Sequence, residues 1–163
     1  MTTNWAIDRR ILVAVVLNLA VVACGGSDTP TNPSPSPTPP LSNGSLSALI
    51  NGTSFNATSA RVVMLGGGGV SIGGGNASGQ TIGFAWLDAG TRTYPIGGAT
   101  IASHTFMGNT WSASSAQGSG SITVTTKTSN RVAGTFSFVL QADGPSGATG
   151  TRNITQGQFD LTF

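Results

Sequence analysis

From residue 46 onward the chain alternates apolar and polar side chains with a period of two, as a strand with one buried face does. Ile122 and Val124 alternate with Thr123 and Thr125; Val132, Gly134, Phe136, Phe138 and Leu140 fall on one face, and Phe159, Leu161 and Phe163 on another. Ile82, Phe84 and Trp86 mark a further strand, and Val62 with Met64, or Val63 with Leu65, another. Ala48 and Ile50 open the region before an Asn51-Gly52 pair, the residues of a tight hairpin turn. Between these runs stand Asp88-Ala89-Gly90, Ser129-Asn130 and Asp143-Gly144-Pro145, residue sets suited to bent or left-handed backbone. Gly, Ser and Thr interrupt every window in which a 3.6-residue apolar repeat could develop, so no helix of useful length is expected. The pattern predicts an all-β domain over residues 46–163, an antiparallel meander closing into a β-sandwich or barrel.

The N-terminal pattern is of another kind. Arg9-Arg10 precedes an apolar run from Ile11 to Ala23, ending in Val21-Val22-Ala23 before Cys24-Gly25-Gly26. A membrane span needs about 20 apolar residues. This run is shorter, is interrupted by Asn18 and leads into a polar segment, so residues 1–23 are expected to be an export signal. A Pro/Ser/Thr segment follows, Pro30 to Pro40 at its centre, with too little apolar surface to build a core. It is expected to be an extended spacer rising about 3.1 Å per residue, so residues 24–45 are assigned as a linker.

Charge is scarce. Of 163 residues, seven are Lys or Arg and five are Asp, with no Glu. Removing Asp8, Arg9 and Arg10 with the signal leaves five basic and four acidic groups, so the basic balance describes no cationic surface, and nucleic-acid binding is not expected. Outward strand positions carry Thr and Ser where Lys and Glu are commoner. Cys24 is the single cysteine, which rules out an intramolecular disulfide.

Two resemblances follow. Val21-Val22-Ala23-Cys24 resembles the lipobox of bacterial lipoproteins. That likeness implies cleavage between Ala23 and Cys24, a thioether-linked diacylglycerol on Cys24, and a membrane partner reached through that lipid; two or three chains anchor firmly where one does not. Gly25 in place of Asp resembles the outer-membrane sorting pattern, which implies that membrane as the location. Leu49-Ile50-Asn51-Gly52-Thr53-Ser54-Phe55, Gly90-Thr91-Arg92-Thr93-Tyr94-Pro95-Ile96, Arg131 to Phe138 and Thr155 to Phe163 together resemble a family of uncharacterised bacterial lipoprotein domains. This implies an all-β fold and an exported setting, and supplies no catalytic residues.

Candidate chemistry is sparse. Gly69-Val70-Ser71-Ile72-Gly73 matches the G-x-S-x-G nucleophile elbow, with Asp88 and His104 following in the hydrolase order. An elbow needs a strand-to-helix turn, and the glycines at 73–75 and 79 oppose a helix there, reading instead with Gly66 to Gly69 as a flexible hairpin. His104, the single histidine, lacks neighbours at ligand spacing and is expected to be a strand residue with a satisfied ring; no metal and no cofactor are expected. Asp88 and Asp143 sit in turns and Asp160 alternates outward from Phe159 and Leu161, so no acid/base pair is expected. Trp86 continues an apolar face, whereas Trp111 and Tyr94 are the candidate binding surface, since exposed aromatics stack on sugars or peptides. Two classes result: a non-catalytic envelope module that binds a glycan, cell-wall or envelope-protein ligand, and a small serine hydrolase using Ser71, Asp88 and His104.

Overall fold

Asn51 and Gly52 adopt left-handed conformations, with φ of 48° and 83°, and reverse the chain as an Asn-Gly pair is suited to do. In the computed structural model, which describes residues 44–88 and 90–163, this turn joins β1 (Gly44–Ile50) to β2 (Thr53–Asn56). The chain continues through β3 (Ser59–Met64), β4 (Val70–Gly75), β5 (Thr81–Trp86), β6 (Thr93–Pro95), β7 (Ile101–Phe106) and β8 (Asn109–Ala113). It ends with β9 (Ser119–Lys127), β10 (Arg131–Ala142) and β11 (Thr151–Thr162). Two short 3₁₀ turns, Gly66–Gly68 and Gly144–Ser146, are the helical segments among the described residues. The all-β expectation holds. Ala23, Cys24 and the spacer up to residue 43 lie outside the described residues, whereas Gly44 and Ser45, expected to end the spacer, instead open β1 by pairing with Leu161 and Asp160 of β11.

Every strand pairing is antiparallel, in the order β2-β1-β11-β10-β8-β7-β5-β4-β3, with β9 on β10 and β6 on β9. The path begins and ends on strands that are consecutive in the chain. Only Ala57 and Thr58 separate β2 from β3, and the Ala57 N–H reaches the Leu46 carbonyl while the Thr58 N–H reaches that of Gly75. A few residues of extended chain span only about 3.3–3.6 Å each, so the sheet must curl until its two ends approach, giving a half-barrel. β10 serves both walls: Val132 to Val139 pair with β9, and Gln141 and Ala142 pair with β8.

The concave face holds the core. Phe84 of β5 meets Phe136 and Phe138 of β10 and Phe159 of β11, with ring centroids 4.7, 5.8 and 5.5 Å apart. These strands are not neighbours along the sheet, so the rings join opposite walls across the interior. The run Val132, Gly134, Phe136, Phe138, Leu140 is buried throughout, as its period predicts. Gly134 leaves room there for the Phe159 ring, whose Cζ would lie 2.8 Å from an added Cβ. Of the two alternations open at 62–65, the structure takes neither as written: Ala60 and Val62 point inward, and Val63 and Met64 are exposed.

Gly73 to Gly75 depart from the expected hairpin, since they complete β4 and the reversal comes at Asn76–Gln80, where the Asn76 carboxamide oxygen accepts the Ser78 and Gln80 N–H groups. The physical reason is close packing. A Cβ on Gly74 would lie 2.7 Å from Leu46 Cδ2 and 3.0 Å from the Ser59 carbonyl, so glycine leaves room against β4 for the Leu46 side chain of β1.

Candidate functional site

Ser71, Asp88 and His104 do not converge. Ser71 lies in the middle of β4 between buried Val70 and Ile72, so its hydroxyl is on the outer face. His104 alternates in phase with buried Ala102 on β7 and is itself 1% exposed, so its ring faces the interior. Ser71 pairs with Ala85 and Ala85 with Ile101, three residues along β7 from His104 and on the other side of the sheet. Asp88 lies past the end of β5, accepting the Gly90 N–H at 3.2 Å and pairing with Arg92 at 2.6 Å. The serine-hydrolase constellation is therefore not assembled, because a straight strand through Ser71 replaces the strand-to-helix turn that an elbow requires.

The aromatic candidates are corrected as well. Trp111 and Tyr94 are each 4% exposed and belong to the core. Trp111, on β8 opposite His104 and Ala142, donates its Nε1–H to the Thr149 carbonyl at 3.1 Å and carries the Arg152 guanidinium over its ring at 4.0 Å. Tyr94 donates its hydroxyl to the Gly90 carbonyl at 2.7 Å and packs on Trp86 at 5.8 Å. Their strands are short, and a large inward side chain on each is what fills the volume between the walls.

His104 is on a strand as expected, but its ring is not satisfied. Neither Nδ1 nor Nε2 has a hydrogen-bond partner, and the ring packs 5.6 Å from that of Trp111. Burial, with the nearby Arg152 charge second, pushes its pKa down from 6.5 to about 4, so the imidazole is neutral at pH 7. No cluster of three metal-ligating side chains occurs among the described residues.

What the sheet does assemble is a polar row on its outer face. Thr93 of β6 pairs with Thr123 of β9, Thr123 with Thr135 of β10, Thr135 with Gln158 of β11, Gln158 with Ser47 of β1, and Ser47 with Asn56 of β2. At about 4.8 Å per strand these six in-register side chains span about 24 Å. Beside that row, Ser121 pairs with Ser137. Opposite Ser137 the β11 register slips, Phe136 pairing with Gly157 and Phe138 with Ile154, so Thr155 and Gln156 form a bulge. Gln156 takes a left-handed φ of 50° there, a conformation that a non-glycine residue adopts only when its surroundings impose it.

The bulge dents the face. A shallow groove of about 510 Å³ is lined by Ser121, Thr123, Thr135, Ser137, Gln156 and Gln158, together with Phe136 and Gly157. A smaller one of about 210 Å³ adjoins it at Ser137 and reaches Val139, Asn153 and Thr155. No ionisable side chain lines either. The nearest pair along β11, Arg131 with Asp160 at 2.6 Å, is closed on itself, the hydrogen bond from Arg131 holding the Asp160 carboxyl below its usual range. The outward Thr and Ser were visible in the sequence; their alignment across six strands was not, because register is set by long-range pairing.

One family, described as a domain of unknown function (DUF6252), matches residues 42–160. The chain belongs to this family. The match takes in every strand but the tip of β11, so the DUF6252 domain of this chain is the half-barrel with its polar face. No curated protein and no solved structure matches the chain.

Proposed function

We propose that the chain is a non-catalytic binding or scaffolding module of the bacterial envelope, attached by lipid on Cys24 and held away from the membrane by the Pro-rich spacer that follows that residue and ends before β1. The observation that carries the binding half is the outer face: an uncharged row of hydroxyls and carboxamides runs across six strands and is dented by a bulge, while the serine, carboxylate and imidazole that a hydrolase would use point apart. Supporting the anchor are Val21-Val22-Ala23-Cys24, the basic pair Arg9-Arg10 before the apolar run, and the absence of any other thiol. With Gly25 after the cysteine, the reading assigns the module to the outer membrane.

Metabolic labelling with radioactive palmitate, followed by membrane fractionation, tests the anchor. The chain takes up label and sediments with outer-membrane vesicles, and Cys24→Ala loses both properties. An unlabelled chain, or unchanged sedimentation after Cys24→Ala, refutes lipid attachment. Ester hydrolysis abolished by Ser71→Ala would establish catalysis instead.

A further inference from the structure

We infer that the groove over β9, β10 and β11 binds a neutral polysaccharide, an assignment that rests on the binding-module reading and names its ligand. Each lining hydroxyl and carboxamide both donates and accepts hydrogen bonds, the same dual capacity that a sugar hydroxyl has. The side chains of Thr135, Ser137, Gln156 and Gln158 make no hydrogen bond within the described residues, whereas Thr93 and Thr123 already bond each other at 2.9 Å. Two of these four free groups, Thr135 and Gln158, stand at the centre of the row, and Ser137 and Gln156 lie beside them in the groove.

Other ligand classes fit less well. A phosphate-bearing or nucleic-acid ligand draws its affinity from Lys and Arg, and the groove has neither. A peptide binding by strand addition needs an open edge, but β9 pairs with β6 and β10, β10 with β9 and β11, and β11 with β10 and β1. An apolar chain would meet hydroxyls or carboxamides at six of the eight lining residues, Phe136 and Gly157 being the other two. An uncharged, hydroxyl-rich ligand desolvates no ion on either side and leaves no buried donor unmatched. Length selects a polymer over a single sugar: the groove crosses three strands, about 10 Å, which exceeds one ring, and the adjoining groove, where Ser137, Asn153 and Thr155 stand among Phe138, Val139 and Ile154, prolongs the track along the strands.

Affinity electrophoresis of the full chain in detergent tests this, with native gels containing dextran, xyloglucan, laminarin or hydroxyethylcellulose, and polygalacturonate and heparin as anionic probes. At least one neutral polysaccharide retards the protein, and added salt leaves the retardation unchanged. Thr135→Lys and Gln158→Lys abolish it while Arg61→Ala, on β3, does not. Should circular dichroism show either lysine variant unfolded, Gln158→Ala decides, with retention weakened about tenfold as expected for one or two lost hydrogen bonds. Mobility unchanged in all four neutral gels overturns the inference, as does retardation by the anionic probes alone or retardation that survives the Gln158 and Thr135 substitutions. The palmitate experiment is independent: its failure removes the anchor and leaves the groove's ligand standing, whereas failure here removes the ligand and leaves the anchored module.

Discussion

His104 makes the stability of the fold depend on pH in a window where few other side chains titrate. Its imidazole is 1% exposed, both ring nitrogens are unpartnered, and its pKa falls from 6.5 to about 4 through burial, with Arg152 adding to it. The folded state then binds this proton less tightly than the unfolded state, so stability rises with pH between the two values. It is fully present above pH 6.5, declines as the pH falls, and is lost once the pH passes below about 4. At 1.36 kcal/mol per unit the whole effect is about 3 kcal/mol. Urea titrations of parent and His104→Leu at intervals from pH 8 to pH 4 measure it. The leucine variant should match or exceed the parent at pH 8, because two unsatisfied polar atoms are gone, and should lack the decline through this window. Asp160, whose carboxyl is lowered by Arg131, contributes acid sensitivity at lower pH in both proteins, so the difference between the curves isolates the imidazole. Parallel curves for the two proteins would refute the assignment of a buried, neutral, unpartnered ring.

The remaining expectations concern packing. Phe138→Ala, which empties a site 1% exposed between Phe84 and Phe136, should cost about 3–5 kcal/mol by chemical denaturation; a variant as stable as the parent would mean the two walls are not joined there. Trp111→Ala should cost a similar amount, about 3–5 kcal/mol, since it also removes the bond to the Thr149 carbonyl and the seat of Arg152; a mild loss would restore the ring to the surface. Gly134→Ala would drive a Cβ into the Thr123 carbonyl and the Phe159 ring, and a melting temperature lowered by the equivalent of about 1–3 kcal/mol is expected. No change there would show that β9 and β10 are less closely apposed than the pairing implies.

Local pattern was enough for the strands with a full apolar face. β5, β9, β10 and β11 carry three or more inward apolar residues, or an unbroken alternation, and their burial follows the predicted phase. β7 and β8 escaped the pattern because Ala102, His104 and Ala113 are too small or too polar to announce a core face, leaving Trp111 as a single large apolar residue among polar neighbours. Without a second large apolar residue in phase with it, Trp111, flanked by Thr110 and Ser112, resembled a surface residue until its strand was placed between β7 and β10. The G-x-S-x-G match failed for a related cause: five residues in sequence specify neither which face Ser71 takes nor what lies across the sheet from it.

The sequence by itself determined the all-β class, the Asn51-Gly52 reversal, the core aromatics of β5, β10 and β11 and the scarcity of charge, because each follows from side-chain periodicity, from composition or from the backbone preferences of one or two residues. Tertiary structure decided which strands are neighbours and in what register. Pairing β10 with β9 along most of its length and with β8 at its end, closing the sheet through Ala57 and Thr58, and bulging β11 at Gln156 all depend on hydrogen bonds between residues far apart in the chain. A register shift of one residue would turn Thr123, Thr135 and Gln158 inward and their apolar neighbours to solvent. The polar row thus exists only because burial of Ile122, Phe136 and Phe159 on the opposite face fixes the alignment of all three strands.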